Sequence, residues 1–359
     1  MKNICFTIAD ISNCGGTERV CLKIANALCE KGYNVHILTG ETLNPPFFPC
    51  DSRIRIGRML TNALERRLRY KKWYRRWKCR RYFLKNKIDV VIDVDELMSR
   101  FTLPAVQGTN IKTISWNNFS YDYCQRDSAH HDALGFVKQY ADRIVVLTKA
   151  DRLKYIEYKS VNPDTIVSIY NPLSFDESVY EERKAKKVIA IGRIAWEKGF
   201  DLLLESWKLV EKETSDWHLE IVCGMGDYYQ LQQEAEAMGL RSVSCVAPVS
   251  DVRTKLSEAG IFVLPSRSEG FGLVLIEAAA MSLPLISFDC PSGPNEIIQD
   301  MENGLLVEPE NTTFLAQAIL QLIKDDDLRK RIGEKAFESS KGFSINSILP
   351  QWIDLIENL

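Results

Sequence analysis

Two glutamates eight residues apart, Glu269 and Glu277, bracket the start of an apolar segment in the stretch Pro265–Ala280. The strand-like run Ile261–Leu264 leads into a polar loop with two glycines, Ser266–Gly272. Almost no wet face follows: Leu273, Val274, Leu275, Ile276, Ala278, Ala279, Ala280 and Met281. A helix that is apolar all round is buried, and a carboxylate inside it is costly unless paired or hydrogen-bonded. Helical side chains lean toward the N-terminus, so Glu277 can face whatever occupies the helix start. A helix N-terminus after a parallel strand suits an anion, and Gly270 and Gly272, on either side of Phe271, let a ligand approach the backbone there. These residue types describe a site for a phosphorylated ligand. Glu277 would accept from its hydroxyls, and Glu269 would reach a second group. The competing reading ties each glutamate to neighbouring amides or an arginine.

Two cations lie in a glycine-bounded loop, Gly192-Arg193-Ile-Ala-Trp-Glu-Lys198-Gly199. Such a pair suits a diphosphate; standing alone it would read as solvated surface charge. Two carboxylates need cations nearby if a phosphate is to be tolerated, so the loop and the glutamates read as one site. Gly15-Gly16 opens an early helix where bare backbone can meet a phosphate or sugar. It is not G-x-G-x-x-G, and turn chemistry explains it equally well. Asp93-Val94-Asp95 spells D-x-D, a metal motif of other transferases, but it more simply ends a strand and caps the next helix. Ten scattered cysteines show no C-x-x-C pair and no histidine at metal spacing. No metal and no cofactor are expected.

The pattern Glu269-Gly-Phe-Gly-Leu-x-x-x-Glu277-Ala, E-x7-E, resembles the donor-sugar motif of family 4 retaining glycosyltransferases of the GT-B fold, of bacterial polysaccharide and glycolipid type. Gly-Arg193-x-x-x-x-Lys198-Gly and Gly15-Gly16-x-Glu-Arg-Val match the same family, which extends the likeness over nearly the whole chain. The resemblance implies two Rossmann-like domains facing across a cleft. It implies a donor held by Arg193, Lys198, Glu269, Gly270, Phe271, Gly272, Leu273 and Glu277, with Gly15 and Gly16 across from it. It also implies retention at the anomeric carbon. Related enzymes often carry a histidine near the reacting sugar where this chain has Asn117-Asn118. Asn118 can hydrogen-bond the sugar but cannot take a proton, while His130 and His131 fall at a helix start.

Positioning these residues requires alternating strands and helices. Ile4–Ala9, Val35–Thr39, Ile88–Val94, Thr113–Trp116, Arg143–Thr148 and Ile166–Tyr170 read as strands of a first domain, residues 1–172. Lys187–Gly192, His218–Gly224, Val243–Val249, Ile261–Leu264, Leu285–Phe288 and Gly304–Val307 read as strands of a second, 173–342. Strict alternation means parallel sheets, with ligands outside the carboxyl ends of the strands. Residues 343–359 read as a helix with the stripe Ile348, Leu349, Trp352, Ile353 and Ile356. The resemblance implies that it crosses back to the first domain.

A length of 359 residues exceeds one ordinary core. With 45% hydrophobic and 26% charged residues and a net charge of −2, composition indicates a soluble globular protein and no nucleic-acid partner. No apolar run is long enough to span a bilayer, and the first residues do not read as an export signal. The exception is residues 64–87, which crowd cations such as Arg69, Lys72, Arg75, Arg76, Arg80 and Arg81 among Tyr70, Trp73, Tyr74 and Trp77. The aromatics recur at one helical face, and cations opposite aromatics describe a helix lying in a membrane interface. A plain surface helix with an aromatic core face, or an RNA-binding patch, competes with that reading. Arg69, Lys72, Trp73, Arg76, Trp77 and Arg80 are the membrane and acceptor candidates.

The expectation is a cytoplasmic enzyme, peripheral on the inner face of the membrane. It would move a hexosyl or N-acetylhexosaminyl unit from a nucleotide diphosphate sugar, UDP-sugar foremost, to a lipid-linked or membrane saccharide. Arg193, Lys198, Glu269 and Asn118 are the catalytic candidates, and the anionic membrane surface is an expected partner. Other readings are a nucleotide-sugar epimerase, which would act without acceptor, and a non-catalytic donor-binding subunit at the membrane. A phosphorylase would need a cofactor lysine, for which there is no motif.

Overall fold

Short β-branched runs separated by amphipathic segments fold as parallel sheets covered by helices. The computed structural model describes residues 1–40, 44–59, 72–175, 179–224, 226–249 and 251–359. It divides into two units, Met1–Ser174 with Ile345–Leu359, and Phe175–Ser344.

The first unit contains β1 (Asn3–Ile8), α1 (Gly16–Glu30), β2 (Asn34–Thr39), β3 (Arg55–Arg58), α2 (Lys72–Lys85), β4 (Val90–Asp93), α3 (Glu96–Val106) and β5 (Lys112–Trp116). It continues with α4 (Tyr121–Arg126), α5 (Ser128–Tyr140), β6 (Arg143–Val146), α6 (Lys149–Lys159) and β7 (Ile166–Ser168). The sheet order is β3-β2-β1-β4-β5-β6-β7, parallel throughout, with Ile4 opposite both Val35 and Val90. Edge strand β3 carries no sequence signal: Arg55-Ile-Gly-Arg has no apolar run, and three of its four residues are exposed.

The second unit contains β8 (Lys187–Gly192), α7 (Phe200–Glu213), β9 (His218–Cys223), α8 (Tyr228–Ala237), β10 (Val243–Val246), α9 (Val252–Ser257) and β11 (Ile261–Leu264). Then come α10 (Leu273–Ala280), β12 (Leu285–Phe288), α11 (Pro294–Ile297), β13 (Gly304–Val307), α12 (Thr312–Lys324) and α13 (Asp326–Ser340). Its order is β10-β9-β8-β11-β12-β13, again all parallel. In α12, Leu315, Ile319 and Leu322 repeat at helical spacing and are fully buried in the core around Trp207 and Phe288. Each such side chain contributes about 1.5–3 kcal/mol.

Chain order reverses between β1 and β4 in one sheet and between β8 and β11 in the other. The crevice outside the strand ends at such a point is where open α/β sheets bind ligands. The last helix, α14 (Ile345–Glu357), packs on α1 of the first unit. Its Trp352 meets Trp116 edge-on with ring centroids 4.7 Å apart. The buried stripe is Ile348, Leu349, Trp352, Leu355 and Ile356, so Leu355 takes the place expected for Ile353.

Candidate active site

Because β8 and β11 are neighbours, the loops leaving their carboxyl ends, Arg193–Gly199 and Pro265–Gly272, meet at the reversal point of the second sheet. Lys198 Nζ lies 2.6 Å from Glu269 Oε1 and joins the two loops by an ion pair. Ser266 Oγ donates to the same oxygen at 2.6 Å. Ser292, in the loop after β12, donates to the Glu269 carbonyl at 2.8 Å. Glu269 is therefore held from three loops and is only 8% exposed. The backbone approach is equally tight. Gly199 has φ +65°, and a Cβ there would lie 2.0 Å from the Pro265 carbonyl oxygen. Gly272, the N-cap of α10, has φ +92°, a conformation that side-chain-bearing residues rarely adopt.

Arg193, expected beside Lys198, is exposed and has no hydrogen-bond or ion-pair partner among the described residues. Glu277 is 2% exposed in the middle of α10. Phe271 is buried and packs edge-on against Phe343, while Gly270 and Leu273 are half-buried at the loop surface. The first intrahelical closure, Leu275 N to the Gly272 carbonyl at 2.8 Å, follows the leading amides of α10, where a helix presents donors to an anion. Cys290 lies close by, but burial, and next the Glu269 charge, push its thiol up to about 12. It stays protonated and is no nucleophile at neutral pH.

Arg267 went unnoticed in the sequence. It donates bidentately to Asp201 at 2.9 and 2.6 Å, to Glu310 at 2.9 Å and to the Trp196 carbonyl at 2.8 Å, and its own amide reaches the Glu197 carbonyl at 2.8 Å. The guanidinium also covers the Trp196 ring at 4.9 Å. Arg267 thus clamps the Lys198 loop onto the Glu269 loop. Its hydrogen bonds hold the Asp201 carboxyl below the usual carboxylate range.

In the first unit, Gly15 caps α1 and Gly16 begins it, after the carboxyl end of β1. Asn118, at the end of β5, donates to the carbonyls of Val94 at 2.9 Å and Trp116 at 3.3 Å. Its amide hydrogens are thus committed to backbone, and its buried Oδ1 has no partner among the described residues. The D-x-D motif acts as the simpler reading expects. Asp93 accepts from the hydroxyls of Thr7, Ser99 and Thr102, and burial raises its carboxyl to about 6. Asp95 caps α3 by accepting from Leu97 N at 2.8 Å.

Arg69 and Tyr70 lie outside the described residues. On α2 the rings of Trp73 and Trp77 both contact Tyr74, with centroids 5.7 and 5.8 Å apart. The buried residues are Cys79 and Phe83, and Tyr74 is drawn partly into the same core. Trp73 and Trp77 remain 64% and 46% exposed, with Leu84 at 52% further along the same side. Lys72 and Arg81 are exposed beside them, and Arg81 lies 5.4 Å over the Trp77 ring. Arg76 is half-buried. Arg80 departs from the expected membrane set: its guanidinium donates to the carbonyls of Ala105 and Gln107 and pins α2 to the end of α3. No described helix is long and apolar enough to cross a membrane.

The chain is similar to known proteins over both units. The family described as Glycosyl transferases group 1 matches residues 175–339, and Glycosyltransferase Family 4 matches residues 14–177. An uncharacterized glycosyltransferase of Haemophilus influenzae is 31% identical over 98% of this chain and 99% of its own length. The Campylobacter jejuni GalNAc-alpha-(1->4)-GalNAc-alpha-(1->3)-diNAcBac-PP-undecaprenol alpha-1,4-N-acetyl-D-galactosaminyltransferase is 24% identical over 99% of this chain and 98% of its own. S. aureus TarM, solved with fondaparinux, alpha-GlcNAc-glycerol and UDP, superposes with a TM-score of 0.81 over 99% of both chains at 18% identity, a likeness of fold.

Proposed function

The chain belongs to the family 4, group 1 glycosyltransferases, and we propose that it moves a hexosyl or N-acetylhexosaminyl unit from a UDP-sugar to a lipid-linked or membrane-bound saccharide in surface polysaccharide or glycolipid synthesis. One observation carries this reading: Lys198 and Glu269 are joined where the second sheet reverses, with uncommitted Arg193 in the same loop. UDP bound to a neighbour of the same fold and a PP-undecaprenol saccharide in a relative's name support the choice of donor and acceptor.

In this mechanism the acceptor hydroxyl oxygen bonds to the anomeric carbon as the bond from that carbon to the diphosphate oxygen breaks. The electron pair stays with the departing UDP, and the hydroxyl proton passes to a phosphate oxygen. Arg193, Lys198 and the first amides of α10 offset the charge that develops there, the main electrostatic task in such a transfer. Glu277 accepts from the ribose hydroxyls and Glu269 from hydroxyls of the moving sugar. Placing these cations does for the diphosphate what a divalent ion does in other transferases. Configuration at the anomeric carbon is retained. Trp73, Trp77 and Leu84, flanked by Lys72 and Arg81, rest in the interface of an anionic membrane at the cytoplasmic face.

A thermal-shift screen of nucleotide sugars, followed by transfer to membrane extract with the best hit, tests the proposal. The expected result is a UDP-sugar hit and label in the lipid fraction. Conversion of the donor without any acceptor, or donor binding without turnover across acceptors, overturns it.

A further inference from the structure

The carboxyl end of β4, where the first sheet reverses, gathers a second group of charges. Asp95 and Glu96 open α3, and His130 reaches them from α5. One ligand atom from each of these three residues lies within 4.8 Å of the other two. His130 Nε2 is 3.7 Å from Asp95 Oδ1. On the far side of the ring, His130 Nδ1 meets Asp127 Oδ1 at 2.7 Å, a contact that places a ring hydrogen on Nδ1 and, in the neutral ring, turns the Nε2 lone pair toward Asp95. The Cys124 thiol donates to Glu96 Oε1 at 2.9 Å.

Two buried atoms of this group have no hydrogen-bond partner among the described residues: Glu96 Oε2, on a residue 0% exposed, and His130 Nε2, on one 6% exposed. Three acceptors thus converge within a space that water barely reaches. The strongest influences on the Asp95 and Glu96 carboxyls include His130 and no lysine or arginine.

We propose that Asp95, Glu96 and His130 bind a divalent metal ion of the zinc type, with Asp127 as the carboxylate that orients the histidine. One imidazole nitrogen and two carboxylate oxygens suit Zn²⁺, and a carboxylate behind the imidazole is the usual support for such a ligand. Bond lengths of about 2.0–2.2 Å place tetrahedral ligand atoms roughly 3.4 Å apart, within reach of small side-chain rotations from the observed spacing. The ion ties the start of α3 to α5 beside Asn118, whose side chain holds the Val94 carbonyl. It lies in the first unit and joins two of its helices, so it serves the architecture of that unit.

The full chain, stripped of metal by chelator, is titrated with ZnCl2 by calorimetry, and bound metal is counted after desalting. One Zn²⁺ per chain with a Kd below about 1 µM is expected. Glu96→Gln and His130→Gln should each weaken it at least ~100-fold and Asp127→Asn about 10–100-fold. Unchanged affinity in the first two variants, or no retained zinc in the unaltered chain, overturns the assignment. Should a variant fail to fold, the unaltered chain is loaded with Co²⁺: intense visible bands of a four-coordinate site support the proposal, and only the weak bands of six-coordinate cobalt refute it.

Discussion

Replacing Lys198 by Met separates what this lysine does for the fold from what it does for the donor. Its partner is 7% exposed in its side chain and Lys198 itself 20%, at 2.6 Å. Removing one member of a fully buried pair costs about 3–5 kcal/mol; residual solvent access at Lys198 and the Ser266 hydroxyl on the same oxygen reduce that to about 2–3 kcal/mol. For a unit the length of Phe175–Ser344, about 2–4 °C of melting temperature is lost per kcal/mol, so Lys198→Met should melt roughly 4–12 °C lower. Adding Glu269→Gln removes the stranded charge and keeps the Ser266 contact, so the double variant should regain most of that loss. UDP affinity should behave differently. A hydrogen bond to a charged group is worth about 1.5–3 kcal/mol, so calorimetric Kd should rise roughly 10–150-fold and stay raised in the double variant. If UDP affinity stays within about twofold while the melting temperature falls, Lys198 is a structural residue and the diphosphate assignment is wrong.

Arg193→Ala should leave the melting temperature unchanged, because the side chain is exposed and uncommitted, yet cut transfer by about 10²–10³-fold; turnover within about tenfold of the parent would remove its role. Trp73→Ala with Trp77→Ala should lower cosedimentation with anionic vesicles and leave stability nearly intact, since both rings are exposed, and binding that persists would sink the interface reading. Burial, and secondarily Arg55, depress the His36 imidazole below its usual range. The depressed folded-state value means stability is present above the unfolded pKa of about 6.5 and lost as pH falls through the lower one. The melting curve of His36→Gln between pH 7.5 and 5 should therefore be flatter than the parent's; parallel curves would exclude His36 as a source of acid lability.

Residues with local grammar were legible. Glu269, Glu277, Arg193 and Lys198 stand at fixed offsets within loops bounded by glycine, and β-branched runs mark most strands. Arg267 escaped notice because its carboxylate partners lie 66 and 43 residues away, a pairing that only the fold creates. On α2, a period of aromatics suggested one face. The core took Cys79 and Phe83, the residues that close against Val91 and Met98 in the same cluster, drew in Tyr74 partly and left both tryptophans outside. Counting aromatics at helical spacing finds a helix but does not decide which side is buried; that depends on the neighbour's shape.

The two sheets share one order of strands and reverse at equivalent places, yet the chemistry placed there differs. At the second, an acid and a base from adjacent loops neutralise each other and leave one exposed cation, an arrangement suited to receiving an anion. At the first, Asp95, Glu96 and Asp127 surround His130, and Glu96 Oε2 and His130 Nε2 are buried without a hydrogen-bond partner among the described residues. Buried acceptors of this kind are stable where protons or a cation offset their charge. Equivalent backbone positions thus offer opposite polarity. Glu96 carries no signal of this in the sequence, because His130 is placed beside it only when α5 folds back across the end of β4.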